Sequence, residues 1–209
     1  MPKQSILIFI KRLKRPVFTT YEVSRVSGKS LSSVTQSLNY LEKQGLIFKI
    51  YRGIWAEAES KNLSPYSIIH LLFPLQKVYV SFISALHLYG IIEQIPQIIT
   101  LASTAHTRAI HTKIATYTVH HIVPSFFKGF GWYKKENSFL IAEPEKALVD
   151  CLYLSAYKKK QFGYFPELYL PKTLSIKKIN HWISMINNPK VRLYIRKRIH
   201  IILKNSVKQ

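Results

Sequence analysis

The chain has 209 residues, of which 47% are hydrophobic, and its 31 lysines and arginines outnumber its 10 acids to give a formal net charge of +21. This apolar content supports a packed core and excludes general disorder, and the single cysteine, Cys151, excludes a disulfide framework and a cysteine-based zinc site. Asp150 is the only aspartate, which argues against Mg²⁺-dependent chemistry, and so large a positive charge indicates a polyanionic partner: DNA, RNA or an anionic membrane.

The first 45 residues carry the pattern of three helices. Apolar residues recur at the spacing of one helical face in the first of them: Ile6, Phe9, Ile10 and Leu13. Thr19 or Thr20 caps the second helix, and Gly28, which adopts left-handed backbone conformations readily, ends it. Ser30 caps the third helix, which is expected to end just before Gly45.

The third helix has two contrasting faces. At 100° per residue, its predicted core side consists of four apolar residues: Leu31, Val34, Leu38 and Leu41. The opposite side is polar and has no acid: Ser32, Ser33, Gln36, Asn39, Tyr40 and Lys43. Such a face can enter the major groove of DNA, where Gln36 and Asn39 can present amide groups to base edges. The alternative is an ordinary solvated face, although solvated faces usually mix charges of both signs.

A tight β-hairpin is predicted after the third helix. Residues 46–51 are β-branched and aromatic, Arg52 and Gly53 form the turn, and residues 54–56 return. Three helices followed by a hairpin predict a winged helix-turn-helix domain over residues 1–58, with the third helix entering the major groove and Arg52 the minor groove. The predicted DNA contacts are Ser30, Ser32, Ser33, Gln36, Asn39, Tyr40, Lys43 and Arg52. Winged helices also serve as protein–protein modules, which is the alternative for this segment.

The order of helix and strand patterns over residues 63–209 predicts a larger mixed α/β domain after a short polar linker. The fold class expected for the whole chain is therefore α+β. Strands are expected where β-branched and aromatic residues run together: residues 98–103, 116–123 and 138–141. Gly129 and Gly131, flanked by aromatic pairs, predict a further hairpin. Helices are expected at residues 65–73, 79–89, 176–186 and 191–203, and from Pro144 onward. The apolar stretch from Val78 to Ile92 has only 15 residues, which is too short to cross a bilayer, and it predicts a buried helix.

The basic residues concentrate at the two ends of the chain. Residues 1–56 have ten basic and two acidic residues, residues 57–167 have eleven and eight, and residues 168–209 have ten and none. The last helix has one apolar side: Val191, Ile195, Ile199 and Ile202. Four cations lie largely off that side and are predicted to contact phosphates: Arg192, Arg196, Lys197 and Arg198. The alternative is a lysine-rich surface that only confers solubility.

The sequence has no convincing active site. It lacks the phosphate-binding loop, the dinucleotide-binding glycine pattern and the nucleophile elbow. Four histidines are too loosely spaced to indicate zinc: His106, His111, His120 and His121. Cys151 falls on an apolar helical stripe and is expected to be a buried hydrophobe. We therefore expect a binding protein with no metal and no cofactor, and the absence of a signal-peptide pattern favours the cytoplasm.

Three segments resemble one family. Residues 79–92 are similar to the pattern Y-[IV]-S-x-x-S-A-L-x-x-x-G-L-I, and residues 142–154 to A-x-P-E-K-A-L-x-D-x-L-Y-L. Residues 52–55 resemble the R-G-x-[YW] wing. These patterns, in this order, are typical of AbiEi-like antitoxins of type IV toxin–antitoxin systems, and the resemblance covers residues 15–157.

The resemblance implies a bacterial transcriptional autorepressor that binds inverted repeats in its own promoter. It also implies an abortive-infection role in phage defence, in which residues 63–209 antagonise a neighbouring nucleotidyltransferase-like toxin without forming a stable complex with it. Two other classes of function are left open by the residues alone. One is a nuclease-like enzyme targeted by a winged helix, and the other is a protein that binds structured RNA by its shape.

Overall fold

The computed structural model describes residues 5–60, 63–133, 139–157, 162, 164–165 and 167–206. Helices and strands both contribute substantially to this part of the chain, so the predicted α+β class is confirmed. The chain forms two compact units. The first unit comprises the residues up to Pro74 together with His111–Ala115, and the second comprises Leu75–Ile110 and the residues from Thr116 onward.

The first unit combines short helices with a small antiparallel sheet. Its elements are α1 (Ile6–Arg12), β1 (Val17–Thr19), α2 (Thr20–Ser27), α3 (Leu31–Lys43), β2 (Ile47–Tyr51), β3 (Ile54–Glu57) and α4 (Ile69–Leu72). The strands lie in the order β1-β3-β2, with β3 antiparallel to both neighbours. The predicted helices and the β2–β3 hairpin are confirmed, whereas β1 was not predicted because three residues carry too little periodicity.

Local capping sets the ends of the helices in the first unit. The Thr19 hydroxyl accepts a hydrogen bond from the Glu22 backbone N–H at 3.2 Å, and the Glu22 carboxylate accepts one from the Thr19 N–H at 2.8 Å. This reciprocal pair starts α2, which ends at Gly28 with a left-handed φ of 68°. The Ser30 hydroxyl accepts from the Ser33 N–H at 3.3 Å and starts α3.

The core of the first unit lies between the three helices and the sheet. Its buried residues are Ile6, Phe9, Ile10, Phe18, Val23, Val34, Leu38, Leu41, Ile47 and Trp55. Leu31, predicted to belong to the same side of α3, is instead 52% exposed. It occupies the first turn of α3 and points about 50° away from the mean direction of the three buried residues, so the sheet and the other helices do not cover it.

The second unit is built around a six-stranded mixed sheet. Its elements are β4 (Val78–Val80), α5 (Phe82–Leu88), β5 (Ile98–Ser103), β6 (Arg108–His111), β7 (Thr116–His121), β8 (Phe130–Trp132), β9 (Leu140–Ala142), α6 (Pro144–Ala156), α7 (Ile176–Ser184) and α8 (Pro189–Ser206). The strand order is β6-β7-β5-β4-β9-β8. β4–β9 and β5–β7 pair in parallel, and β4–β5 and β8–β9 pair antiparallel. Ser138, predicted to start the last strand, lies outside the described residues.

The predicted helix over residues 79–89 is wrong in its first part. Val78–Val80 form β4, and the helix begins only at Phe82, after Ser81 in an extended conformation. β4 pairs on both sides, with Tyr79 opposite Ala102 and Val80 opposite Ile141. The hydrogen bonds from two neighbouring strands decide this segment, and residues distant in sequence supply them.

The predicted hairpin around Gly129 and Gly131 is also wrong. Gly129, with φ of 75°, precedes β8, and β8 pairs with β9, placing Gly131 opposite Ile141. Phe126, the first of the aromatic residues that were expected to form a strand, lies instead in a 3₁₀ turn, Pro124–Phe126. The strand that pairs with β8 is β9, which lies later in the chain than the spacing of the aromatic pairs indicated. None of the described helices has the length and apolar character needed to span a bilayer.

Candidate nucleic-acid interface

The polar side of α3 is open to solvent. Each of the eight predicted DNA contacts has an exposed side chain: Ser30, Ser32, Ser33, Gln36, Asn39, Tyr40, Lys43 and Arg52. Six of them share the face of α3 opposite the buried Val34, Leu38 and Leu41. The structure therefore brings these six together on one surface of the first unit.

The single acid of α3 is engaged away from that face. The Glu42 carboxylate accepts a hydrogen bond from the Lys49 backbone N–H at 3.0 Å and lies 3.2 Å from the Lys113 ammonium. These contacts, led by the Lys49 N–H, hold the pKa of Glu42 below its ordinary value, so it stays ionised and paired. Lys43 is therefore the charged residue on the outward face of α3, and its positive charge favours contact with phosphate.

The hydroxyl groups of α3 and of its capping residue differ in the contacts that they make. The Ser30 hydroxyl caps the helix, and the hydroxyls of Thr35 and Ser37 donate to backbone carbonyls one turn earlier, at 2.7 and 3.0 Å. Ser32 and Ser33 carry the exposed hydroxyls of the first turn. Ser30 is thus a residue that shapes the helix as well as a predicted DNA contact, and the capping pattern in the sequence indicated the first of these roles.

The β2–β3 hairpin carries two cations and is attached to α2 by a hydrogen bond. Arg52 is exposed at the turn, beside Gly53 with φ of 70°. The Trp55 indole donates to the Thr20 hydroxyl at 2.9 Å, which ties the hairpin to α2. The Lys49 ammonium lies 5.1 Å from the centre of the Trp55 ring. Lys49 was missed by the sequence analysis, which treated residues 46–51 only as a strand.

A groove borders the predicted face of α3. It has a volume of about 550 Å³ and lies between α1 and the C-terminal half of α3, where Gln36, Tyr40 and Gln44 line it together with Lys29. Gln36 and Tyr40 therefore stand at the border between the open face and this groove. Lys29 and Gln44 add polar groups here that the sequence analysis did not single out.

The basic helix at the end of the chain has the predicted apolar side. Val191, Ile195, Ile199 and Ile202 are all buried. Of the four predicted phosphate contacts, Arg196 and Lys197 are exposed, whereas Arg192 and Arg198 are half-buried. The accessible cationic edge of α8 therefore depends more on the first pair than on the second.

The residues that carry the family resemblance meet inside the second unit. The Asp150 carboxylate accepts hydrogen bonds from the Tyr79 hydroxyl at 3.1 Å and the Ser81 hydroxyl at 2.7 Å, and it pairs with the Lys146 ammonium. The Lys146 ammonium also lies 3.9 Å from the centre of the Phe126 ring. We call Tyr79, Ser81, Lys146 and Asp150 the buried cluster, because all four side chains are inaccessible to solvent.

Burial dominates the titration of this cluster. It lowers the pKa of Lys146 and raises the pKa of Asp150, and the attraction between the two charges opposes both changes. Burial also raises the pKa of the neighbouring Cys151 thiol, which is fully enclosed in α6. These groups are enclosed and cannot touch a macromolecular partner, so they do not form an accessible site. The contacts of the buried cluster link β4 to α6 within the second unit.

The comparisons add no family assignment. Scanning the sequence against models of known protein families gives no match, and a search of curated proteins finds no significant relative. Within the described residues, no three histidine, cysteine, aspartate or glutamate side chains come close enough to hold a metal ion. The functional interpretation consequently depends on the geometry described above and on the sequence motifs.

Proposed function

We propose that this protein binds duplex DNA through α3 and the β2–β3 hairpin, used as a winged helix-turn-helix. One observation carries the proposal: the outward face of α3 is exposed, contains amide, hydroxyl and ammonium groups, and has no free carboxylate. The three helices and the β1-β3-β2 sheet are the elements that such a domain requires, which supports the same interpretation. Arg52 at the hairpin tip supplies a guanidinium for a minor groove.

The regulatory role follows from the motif resemblance. We propose a cytoplasmic autorepressor that recognises inverted repeats in its own promoter and serves as the antitoxin of a type IV system. Its toxin is a nucleotidyltransferase-like protein encoded next to it, opposed without a stable complex. The chain acts by binding in this proposal and has no catalytic residue. The basic edge of α8 adds phosphate contacts that strengthen binding without selecting a sequence.

The test is a binding competition with the purified full-length chain. The duplex upstream of its own gene, a random duplex of equal length and composition, and a duplex RNA compete at one fixed salt concentration. We expect the upstream DNA to bind most tightly, because base-edge contacts add to phosphate contacts. Equal affinity for all three nucleic acids would refute sequence-specific DNA binding, and preference for the RNA would favour the structured-RNA alternative.

Two further assays separate the remaining functions. Growth of cells that express the neighbouring toxin should recover when this chain is co-expressed, and unchanged growth inhibition would refute the antitoxin role. Supercoiled plasmid should stay intact when incubated with the protein and Mg²⁺ or Mn²⁺. Cleavage that a chelator abolishes would favour the nuclease-like alternative instead.

A further inference from the structure

A short turn from the later part of the chain belongs to the first unit. The segment His111–Ala115 connects β6 to β7, yet it packs with the residues up to Pro74. It lies outside residues 1–58, over which the sequence predicted the winged helix-turn-helix. The first unit therefore contains an exposed basic residue, Lys113, that the DNA contacts predicted from the sequence do not include.

The backbone of this turn is fixed by Thr112. The Thr112 N–H donates to the Ala115 carbonyl at 3.0 Å, and the Thr112 hydroxyl donates to the same carbonyl at 2.7 Å. This hydroxyl also accepts from the N–H groups of Ile114 and Ala115, at 3.3 and 3.1 Å. Thr112 thus closes the turn through its backbone and its side chain, and Lys113 occupies a defined position at the tip.

Two contacts attach Lys113 to the hairpin and to α3. Its N–H donates to the Ile50 carbonyl of β2 at 3.1 Å, close to Arg52 at the hairpin turn. β2 lies at the edge of the three-stranded sheet, which leaves peptide groups for such a bond. The Lys113 ammonium lies 3.2 Å from the Glu42 carboxylate of α3. Lys113 is therefore placed where α3 and the hairpin meet.

Lys113 is the ion-pair partner of Glu42. The Lys49 ammonium points to the Trp55 ring, 5.1 Å from its centre, and it is the backbone N–H of Lys49 that bonds to Glu42. The Lys49 N–H, followed by the Lys113 ammonium, holds the pKa of Glu42 below its ordinary value. An unperturbed glutamate is also ionised at neutral pH, so the negative charge would remain if Lys113 were removed.

An uncompensated charge at Glu42 would repel DNA phosphates. At about 100° per residue, Glu42 lies about 60° around α3 from the predicted contact Asn39. A helix is about 10–12 Å across with its side chains, and physiological salt screens charges over about 8 Å. The side chains of Lys113 and Glu42 are 62% and 29% exposed, so the pair is open to a ligand on this side of α3. A carboxylate here would therefore be felt by phosphates that line a groove around α3.

The pair has little consequence for stability. Exposed ion pairs contribute little to the free energy of unfolding, because water already solvates both charges and ordering the side chains has an entropic cost. The placement of Lys113 by a closed turn and by a bond to β2 therefore has its main consequence for a charged ligand at this surface.

We propose that Lys113 is a further residue of the DNA-binding surface, where its ammonium compensates the Glu42 carboxylate and lets the hairpin side of α3 accept phosphate. This role rests on the proposed function, the binding of duplex DNA, and extends it to a positioning residue from outside residues 1–58. Lys113 acts through charge and reads no base. Its removal should therefore weaken binding to every duplex alike.

The test is a cycle of charge neutralisation on the full-length chain, with the upstream duplex and the random duplex as probes. Lys113→Ala keeps the backbone bond to Ile50 and leaves Glu42 uncompensated. It should weaken binding of both duplexes by about 3- to 10-fold at low salt, the size expected for two unit charges at close range in water. The loss should shrink as salt increases.

Two further variants distinguish compensation from a direct phosphate contact. Adding Glu42→Gln to Lys113→Ala removes both charges of the pair and should restore the affinity of the parent. Lys113→Arg retains the positive charge and should retain the affinity. If Lys113 instead touched phosphate itself, the double variant would stay as weak as Lys113→Ala.

A second ion pair in the first unit provides the matched control. Lys11 and Glu57 lie 2.7 Å apart with side chains 61% and 20% exposed, close to the values of the first pair. Glu57 is at the end of β3 farthest from the Arg52 turn. Lys11→Ala should therefore leave the affinity for both duplexes close to that of the parent. Urea unfolding should show parent stability for all variants, which separates a loss of charge from a loss of fold.

The outcomes for Lys113 and for DNA binding itself can be told apart. If the parent binds duplex DNA but Lys113→Ala binds as tightly, if the double variant is not restored, or if Lys11→Ala loses as much, the role of Lys113 is overturned and DNA binding stands. A parent that binds neither duplex overturns both. NMR titration gives a measurement without DNA: the pKa of Glu42 should rise in Lys113→Ala, and an unchanged pKa would refute the ion pair.

Discussion

Two helices of 13 residues each place their polar residues in opposite environments: α3 in the first unit and α6 in the second. α3 buries three residues, Val34, Leu38 and Leu41, and leaves its polar groups in water. α6 buries ten consecutive residues from Glu145 to Leu154, including a lysine and an aspartate. A polar group in water is free to bind a partner, whereas a polar group in the interior must be satisfied by the protein itself.

The comparison also distinguishes two kinds of sequence motif. The α6 motif contributes Lys146 and Asp150 to the buried cluster, and its partners Tyr79 and Ser81 come from the other long motif. Residues of these types at these positions therefore maintain the hydrogen bonds and the ion pair that join β4 to α6. The polar residues of α3 make few contacts within the protein, and in the proposed function they recognise the DNA.

The largest effect is expected inside α6. Asp150→Ala removes one partner of a buried ion pair and leaves the Lys146 ammonium without its counter-charge, at a cost of about 3–5 kcal/mol in unfolding free energy. Urea unfolding followed by circular dichroism measures this. Replacing both residues by apolar ones, Lys146→Met with Asp150→Leu, should recover much of the loss. Lys11→Ala, which breaks an exposed pair with Glu57, is the control and should change little.

A parent-like stability for Asp150→Ala would show that the buried cluster does not hold β4 and α6 together. The contrast between the two helices would then lose its energetic basis.

The core side of α3 should be the next most sensitive position. Leu38→Ala should cost about 2–5 kcal/mol, because Leu38 is completely buried and its removal leaves a cavity. Leu31→Ala is the matched control on the same helix and should cost much less, since Leu31 is half exposed. Thermal and urea unfolding compare the two variants. Equal losses would mean that both leucines pack in the core, as the sequence pattern originally predicted.

The polar side of α3 should affect recognition and leave stability intact. Gln36→Ala should reduce the preference for the operator over random DNA by about 1–3 kcal/mol if the Gln36 amide makes a bidentate base contact. Lys43→Ala should weaken binding to both DNAs alike, because a phosphate contact carries no sequence information. Titrations of both duplexes at the same salt concentration provide the comparison. A uniform loss for Gln36→Ala would reject its role in base recognition.

The exposed edge of α8 should contribute through charge alone. Replacing Arg196 and Lys197 by alanine should flatten the slope of log K against log salt by up to about 2, at about 0.9 for each phosphate contact. Sequence preference should persist in this variant. The charge-preserving pair Arg196→Lys with Lys197→Arg is the control and should keep the parent slope. An unchanged slope in the alanine variant would leave α8 outside the DNA-binding surface, and a loss of toxin rescue with repression retained would assign this edge to antitoxin activity.

The smallest effect is expected at Ser30, the residue that caps α3. Ser30→Ala should cost about 1 kcal/mol of stability, because the Ser33 N–H loses its capping partner. Ser32→Ala, a neighbouring exposed serine without a capping role, should cost less than about 0.5 kcal/mol. Unfolding in urea again measures both. If the two serines are equivalent in stability, Ser30 does not cap α3 in solution.

The fold of the first unit was largely predictable because its determinants are close together in sequence. Caps at Thr19 and Ser30 and the left-handed glycine at Gly28 act within a few residues, so the helix ends follow from the local pattern. The exposed face of α3 was predictable for the same reason, since helical periodicity alone separates it from the core. What periodicity did not reveal was that Leu31 lies beyond the reach of the neighbouring elements, or that Glu42 is bound to the hairpin.

By itself, the sequence determined the basic charge, the helix ends, the polar face of α3 and the buried nature of the later apolar segments. Only the tertiary structure decided that Val78–Val80 form a central strand and that β8 pairs with β9. The bonds of the buried cluster between β4 and α6 join residues 67 to 71 positions apart. Strand pairing and buried polar contacts depend on which distant residues the fold brings together, whereas capping and helical periodicity need only the next turn of the chain.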